Sequence, residues 1–295
     1  MSRAIRHVKA EYRDIVKLIE SLTGSKSLWN IWSDMIEMIA ISIANSVDHS
    51  PRSKGREEHY LRIAKEYSPK DMDVIARVFA EIVNQYEACP DQDLLGEIHM
   101  SLNFGSDALG QVFTPYNVCK MMAKMTVDNG PIDEKIAERG YVAANDPACG
   151  AGATLIALVN VLRENHVNYQ EKVFIVAQDI ERTAALMCYI QLSMLGCAAA
   201  IFIGDTICNP ATDNPTRLEL DENVWLTPIY YTPIWQYRRQ ARLLAQMFET
   251  VSKTAAPEIE EPKAPEATGL EEPEKEEHEE APKIKPMVAE QLSLF

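Results

Sequence analysis

The stretch YVAANDPACGAG at residues 141–152 decides the fold class of this chain. Its apolar first half is typical of a short buried strand. Its second half places Gly150 and Gly152 in a turn before a helical pattern that begins at Thr154. Such glycines let the backbone pass close to a ligand, and the free N–H groups of the next helix favour a carboxylate or a phosphate. By itself, the GxG pattern is as typical of a tight turn as of a ligand site.

Short apolar runs and helical patterns alternate along the rest of this region. The sequence predicts strands at 141–145, 173–177, 199–203 and 224–227, with helices from 154 to about 164 and from about 182 to 195. This alternation predicts an α/β fold with a parallel sheet covered by helices. The ligands of such sheets bind beyond the carboxyl ends of the strands.

An acidic residue closes each of the first three predicted strands: Asp146, Asp179 and Asp205. A carboxylate in the second position can bind both hydroxyls of a ribose, so the series indicates a cofactor that contains a nucleoside. Each Asp taken singly is more typical of a helix cap or a solvated loop. The phosphate-loop pattern GxxxxGK[ST] does not occur, and GxGxxG fails because residue 155 is Leu, so the sequence gives little support to NTP hydrolysis.

The first 105 residues have helical periodicity. Apolar residues recur at helical spacing near 15–22, 31–43 and 74–83, and Ser68-Pro69 is a typical helix start. The polar stretch 48–58 is predicted to be a loop. We therefore expect an all-helical N-terminal domain at 1–105, followed by an α/β domain at 106–252.

Composition restricts the function classes. The 295 residues carry a formal charge of −15, which argues against nucleic-acid binding by bulk charge alone. No run of about 18 uncharged apolar residues predicts a membrane helix, and the first residues lack a signal-peptide pattern, so we expect a cytoplasmic protein with no membrane partner. The six cysteines show no CxxC pair and no metal-ligand spacing, which predicts reduced, structural thiols.

The C-terminal region has a different composition. From residue 255 onward there are twelve Glu, four Lys, six Pro and no Asp or Arg, a formal charge of −8. Such a segment cannot bury enough apolar surface to offset its ordering entropy. We expect a disordered acidic linker at 253–290, followed by an apolar pentapeptide at 291–295.

Four segments together resemble the DNA adenine-N6 methyltransferases, especially the modification subunits of type I restriction–modification systems. They are DPACGAG at 146–152, GQVFTP at 110–115, DLLGE at 93–97 and GDT at 204–206, in the order and spacing of the family. The resemblance covers about residues 90–230. It implies a Rossmann-like methyltransferase sheet, S-adenosyl-L-methionine (SAM) as cofactor and DNA as substrate.

The resemblance also implies roles for single residues. The implied cofactor contacts are Phe113 and Thr114, the latter at the methionine carboxylate, Asp146, Gly150 and Gly152 at the methionine end, Asp179 at the ribose hydroxyls and Asp205 at the adenine amino group. Acidic side chains suit a cofactor that carries a sulfonium and an ammonium charge.

The catalytic signature of that family, [N/D]PP[F/Y/W], does not occur in this chain. The nearest segment in register is TPIY at 227–230, so Thr227, Pro228 and Tyr230 are the candidate catalytic residues. A Thr hydroxyl can accept a hydrogen bond from an adenine amino group but reaches less far than an amide oxygen. A packed loop without catalytic role is an almost equally good interpretation of this segment.

The sheet of the family has seven strands and an added target-recognition region, and neither fits after residue 230. The core is therefore expected to be truncated. Either a second subunit completes the sheet and supplies target recognition, or the protein is a catalytically inactive relative with an interaction or regulatory role. Methylation of RNA or protein by the same fold is a third alternative.

The last five residues resemble the QL(S/D)LF pentapeptide by which many bacterial replication and repair proteins bind the sliding clamp. The resemblance implies that Leu294 and Phe295 fill an apolar pocket, next to Leu292, while Gln291 makes a polar contact. Recruitment to the bacterial sliding clamp would raise the local concentration of DNA for an acidic core. The alternative is an apolar terminus without function.

Overall fold

The computed structural model describes residues 8–24, 26–102, 113–212, 218, 223–255 and 292–293. None of the helices in these ranges is long and apolar enough to cross a lipid bilayer. Residues 256–290 of the predicted acidic linker and three of the five tail residues, Gln291, Leu294 and Phe295, lie outside them, whereas residues 253–255 of that linker are helical.

Helices form the N-terminal part of the chain, as predicted. They are α1 (Arg13–Ser21), α2 (Leu28–Asn45), α3 (Arg52–Ala64), α4 (Pro69–Ala88) and α5 (Leu94–Ser101), preceded by a 3-10 turn at Ala10–Tyr12. The predicted start of α4 is confirmed, since Ser68 and Asp71 form a reciprocal capping box around Pro69.

The predicted loop at 48–58 is wrong, because α3 begins at Arg52. This polar stretch has few apolar residues to display a period, and the buried residue of α3 is Ile63, beyond the stretch. Its arginines, lysine and glutamates are nevertheless good helix formers. Arg56 anchors the helix by pairing with Asp48 and with Asn45 Oδ1, the latter at 3.1 Å.

Strands and helices alternate in the second half of the chain. The elements in chain order are α6 (Tyr116–Asn129), α7 (Ile132–Arg139), β1 (Val142–Asp146), α8 (Ala153–Glu164), α9 (Tyr169–Lys172), β2 (Val173–Asp179), α10 (Arg182–Met194), β3 (Ala198–Ile203), β4 (Val224–Leu226), a 3-10 turn at Pro228–Tyr231, α11 (Pro233–Ala255) and β5 (Leu292–Ser293).

The sheet has the order β4-β3-β2-β1-β5. Strands β1, β2 and β3 are parallel neighbours, and β5 pairs in parallel with β1 through Ala144↔Leu292 and Asn145↔Ser293. The mixed α/β architecture agrees with the predicted fold class. Leu292 and Ser293 of the predicted tail peptide thus lie at the sheet edge.

The expectation of an entirely parallel sheet is corrected at β4. This strand runs antiparallel to β3, with Val224 opposite Phe202 and Leu226 opposite Ala200. An antiparallel neighbour needs only a reversal of the chain, whereas a parallel one needs a crossover connection. The reversal places Thr227 beside the amino end of β3, at the opposite end of the sheet from Asp146 and Asp179.

Successive strand residues contribute to two cores, one on each face of the sheet, because the strand period is two. One core contains Ile175, Ala177 and Ile201 together with apolar residues of α8, α10 and the N-terminal helices. The other contains Phe174, Val176 and Phe202 together with Tyr230 and Trp235. With both faces buried, the carboxyl ends of β1–β3 are the natural place for a ligand.

Candidate functional site

The glycine turn after β1 is tied to the end of β2. Gly150 N–H donates to Asp179 Oδ2 at 2.8 Å, and Cys149 N–H donates to Gln178 O at 2.9 Å. Gly150 and Gly152 have φ of 51° and 95°, in the left-handed region that favours glycine. A Cβ on Gly152 would also lie 2.8 Å from Cys188 Sγ, so this turn packs tightly on α10.

Phe113 covers the turn from the other side. A Cβ on Gly150 would lie 3.2 Å from two atoms of the Phe113 ring, so the ring rests against the backbone of the glycine. Beneath it lies the buried ring of His99, with centroids 5.3 Å apart. Burial lowers the pKa of His99 to about 4, so this imidazole is neutral near pH 7. The structure therefore brings the FTP segment and the glycine turn together.

Asp146 closes β1 as a buried carboxylate. Its Oδ1 accepts the Ala148 N–H at 3.2 Å, and its Oδ2 accepts the hydroxyl of Thr154. Burial raises the pKa of Asp146, and the nearby charge of Asp179 raises it further. A cation that reaches this carboxylate would stabilise its ionised form.

The other two strand-closing carboxylates lie in successive turns. Asp179 Oδ1 accepts the Glu181 N–H at 2.9 Å, and Asp179 O accepts the Gly204 N–H at 2.9 Å, which links the ends of β2 and β3. Asp205 is exposed, and backbone N–H donation by Ile207 at 2.8 Å holds its pKa below the usual range. The predicted acidic series therefore lies along one end of the sheet.

Two cavities open at this end, with volumes of about 410 and 90 Å³. Both are lined by Asp93, Phe113 and Thr114, and the smaller one also by Asp146 and Gly150. Their combined size is in the range of small-molecule sites. Buried carboxylates next to backbone N–H groups suit a ligand with both a cationic and an anionic group.

A comparison with protein families matches residues 91–252 to the N-6 DNA Methylase family, more than half of the chain. The chain belongs to this family. The matched region includes every residue of the cavity end of the sheet described above. A search of curated proteins finds no match to the chain.

Members of the N-6 DNA methylase family generally use SAM, and the residues present here fit such a cofactor. The carboxylates of Asp93 and Asp146 are buried within a cavity wall, where a sulfonium and an ammonium group would compensate them. The Phe113 ring can rest against the glycine turn only because Gly150 has no side chain. The residues that form these two features all lie within the region 91–252 that matches the family.

Asp93 is the site residue that sequence reasoning missed. The notable signal was its place in the DLLGE segment, but nothing in the sequence assigned it to the cavity. Its Oδ1 accepts from Gly96 N–H at 3.1 Å and from Gln191 Nε2 at 2.9 Å. Burial raises the pKa of Asp93 to about 6. Ile180, immediately after Asp179, is 72 % exposed.

The candidate catalytic residues are not brought to this end of the methylase sheet. Thr227 is fully buried, where its hydroxyl donates to Cys197 O at 2.6 Å and accepts the Ala199 N–H at 2.8 Å. Pro228 begins the 3-10 turn that follows, and Tyr230 is buried 6.1 Å from the Phe174 ring centre. Pro228 and Tyr230 therefore also lie at the amino ends of the parallel strands, because β4 runs antiparallel to β3.

Proposed function

We propose that this chain binds SAM at the carboxyl ends of β1–β3 and takes part in the N6 methylation of adenine in DNA. The observation that carries the proposal is one cavity lined by Phe113, Gly150 and the buried carboxylates of Asp93 and Asp146, with Asp179 bound to the Gly150 N–H beside it. Three separate segments of the chain, around Asp93, Phe113 and Gly150, meet there, which supports the proposal.

Each residue has a physical role in this proposal. Asp93 and Asp146 attract the cationic groups of the methionine end, and Thr114 binds its carboxylate. Gly150 and Gly152 keep the backbone close to the ligand, while Asp179 accepts the ribose hydroxyls and Asp205 the adenine amino group. The exposed side chain of Ile180 offers an apolar contact to the purine ring. When bound, SAM supplies the methyl group.

We infer that TPIY at 227–230 supports the sheet and does not bind the target base. The Thr227 hydroxyl makes its hydrogen bonds to the backbone of Cys197 and Ala199, which leaves it no access to a ligand at the other end of the sheet. The acceptors that hold an adenine amino group, together with target recognition, would come from a second subunit. The alternative is a catalytically inactive relative that retains the cofactor site.

Cofactor binding is tested by calorimetric titration of the chain with SAM. Asp146→Asn is expected to weaken binding about tenfold or more, because it removes one of the charges that face the cation. Asp14→Asn is the matched control, since Asp14 lies on α1 with a highly exposed side chain. Equal affinity for the two variants and the parent chain would contradict the assignment of the site.

Methyl transfer is tested with labelled SAM and unmethylated bacterial DNA. Incorporation into adenine that is lost in Asp146→Asn but retained in Thr227→Val would support an enzyme whose acceptors lie elsewhere. No incorporation, with SAM binding intact, would favour the inactive relative.

We also propose that residues 291–295 bind the bacterial sliding clamp. The support is the match of all five residues to the clamp-binding pattern. Replacement of both Leu294 and Phe295 by Ala is expected to abolish binding to immobilised clamp, whereas Glu290→Ala, just outside the pattern, leaves it within twofold. If the double variant binds as well as the parent chain, the clamp proposal fails.

A further inference from the structure

A second cavity, of about 540 Å³, lies away from the cofactor site between α3, the start of α10 and β4. Four arginine side chains line it: Arg52, Arg56 and Arg62 from α3, and Arg182 from α10. Two carboxylates pair with these guanidinium groups. Asp48 faces Arg52 and Arg56, and Glu37 faces Arg182. The six side chains carry a net charge of +2, in a chain whose total charge is −15.

The guanidinium groups are held in place before any ligand arrives. Arg182 binds Glu37 through two bonds, of 2.9 and 2.5 Å, and Arg56 is bonded to Asn45 and Asp48. Both groups also lie near the buried ring of Trp225, at 5.4 Å for Arg56 and 5.6 Å for Arg182. Because the side chains are already ordered, an anion that binds here loses little affinity to the ordering of arginines.

Gly55 leaves one wall of this cavity open. It lies within α3 and lines the cavity, and a Cβ at this position would meet no protein atom within 4 Å. Glycine within a helix costs about 1 kcal/mol relative to alanine. Packing within the protein therefore does not require glycine here, and a larger side chain at this position would occupy space beside the arginines.

We propose that this cavity binds a phosphate ester. Guanidinium groups suit phosphate oxygens, and four of them line a space of ligand size. The phosphate could belong to a nucleic-acid backbone or to a free nucleotide, which share this chemistry. Arg182 begins α10, three residues after Asp179 at the end of β2. The proposal does not depend on SAM binding.

The test measures binding of three probes to the full chain at low ionic strength: ATP, a single-stranded oligonucleotide and a duplex. Arg62→Ala and Gly55→Leu are expected to weaken binding about tenfold. Arg62 and Gly55 are both exposed on α3, so the fold should be retained, and circular dichroism and SAM titration check this. Lys54→Ala is the matched control: it removes a positive charge from the same helix, at an exposed position outside the cavity.

The probes distinguish the two sources of phosphate. The slope of log affinity against log salt concentration reports the number of ions released on binding. If an oligonucleotide binds and this number falls by about one in Arg62→Ala, the site is assigned to nucleic acid. Binding of ATP without binding of either oligonucleotide assigns it to a free nucleotide. If no probe binds, or if the two cavity variants bind as tightly as Lys54→Ala, the proposal is overturned.

Discussion

At the scale of single residues, Gln191 connects three parts of the chain through one buried amide. Its Nε2 donates to Asp93 Oδ1 at 2.9 Å and to Ala151 O at 2.7 Å, while its Oε1 accepts from Leu95 N–H at 2.9 Å and from the hydroxyl of Tyr86. Both N–H groups of this amide and both lone pairs of its oxygen are thus engaged in hydrogen bonds, one of them with the cavity residue Asp93.

We predict that Gln191→Leu lowers the free energy of unfolding by more than about 2 kcal/mol, because several buried polar groups lose their partner. Urea unfolding measures this change. Gln236→Leu is the control, since Gln236 is exposed and a surface substitution typically changes stability by less than about 0.5 kcal/mol. Similar unfolding midpoints for both variants would contradict the role given to Gln191.

Asp93 predicts a pH dependence of cofactor binding. Its folded-state pKa of about 6 lies above the ordinary value, so its contribution to stability is present below about pH 4 and is lost as the pH rises through about 6. The affinity for a cationic ligand has the opposite pH dependence, because the cation favours the ionised carboxylate. SAM affinity should therefore rise about tenfold between pH 5 and pH 7.

Calorimetry at several pH values checks this expectation. In Asp93→Asn, the side-chain oxygen can still accept from Gly96 and Gln191, but the rise in affinity should disappear. A rise of the same size in the variant would assign the titration to another group.

At the scale of elements, the direction of β4 determines the role of the TPIY segment. We predict that Thr227→Val lowers the free energy of unfolding by about 1–3 kcal/mol, since the buried Ala199 N–H loses the hydroxyl that accepts from it. SAM affinity should remain within twofold of the parent chain. Loss of SAM binding without loss of stability would place Thr227 in the cofactor site instead.

Strand β4 also shows which parts of the fold could be predicted from the sequence and which could not. Apolar runs predicted β1–β3 to within one or two residues, because strands buried on both faces are continuously apolar. Periodicity carries no information on strand direction, so the antiparallel β4 was not foreseen. Glycines and strand-closing acids were visible, whereas the contact of Asp93 with Gln191 joins residues too far apart in the chain for any local pattern to indicate it.

At the scale of the whole molecule, the N-terminal helices and the sheet share one apolar core. Trp32 and Ile36 of α2 belong to the same buried cluster as Leu155 of α8 and Leu186 of α10. We predict that a fragment of residues 106–252 exposes this apolar surface and binds the dye ANS strongly, unlike the full chain. A cooperative unfolding transition of the fragment without dye binding would show that the α/β part folds alone.

The pairing of Leu292 and Ser293 with β1 has a thermodynamic consequence. A partner that binds these residues as an extended peptide must first release them from the sheet, so its apparent affinity is reduced by the fraction of molecules in which they are paired. By reciprocity, that partner uncovers the edge of the strand that ends in Asp146. An uncovered edge is a template for another strand. Recruitment through the tail and assembly with a second chain would then favour each other, because both require the release of Leu292 and Ser293 from the edge of β1.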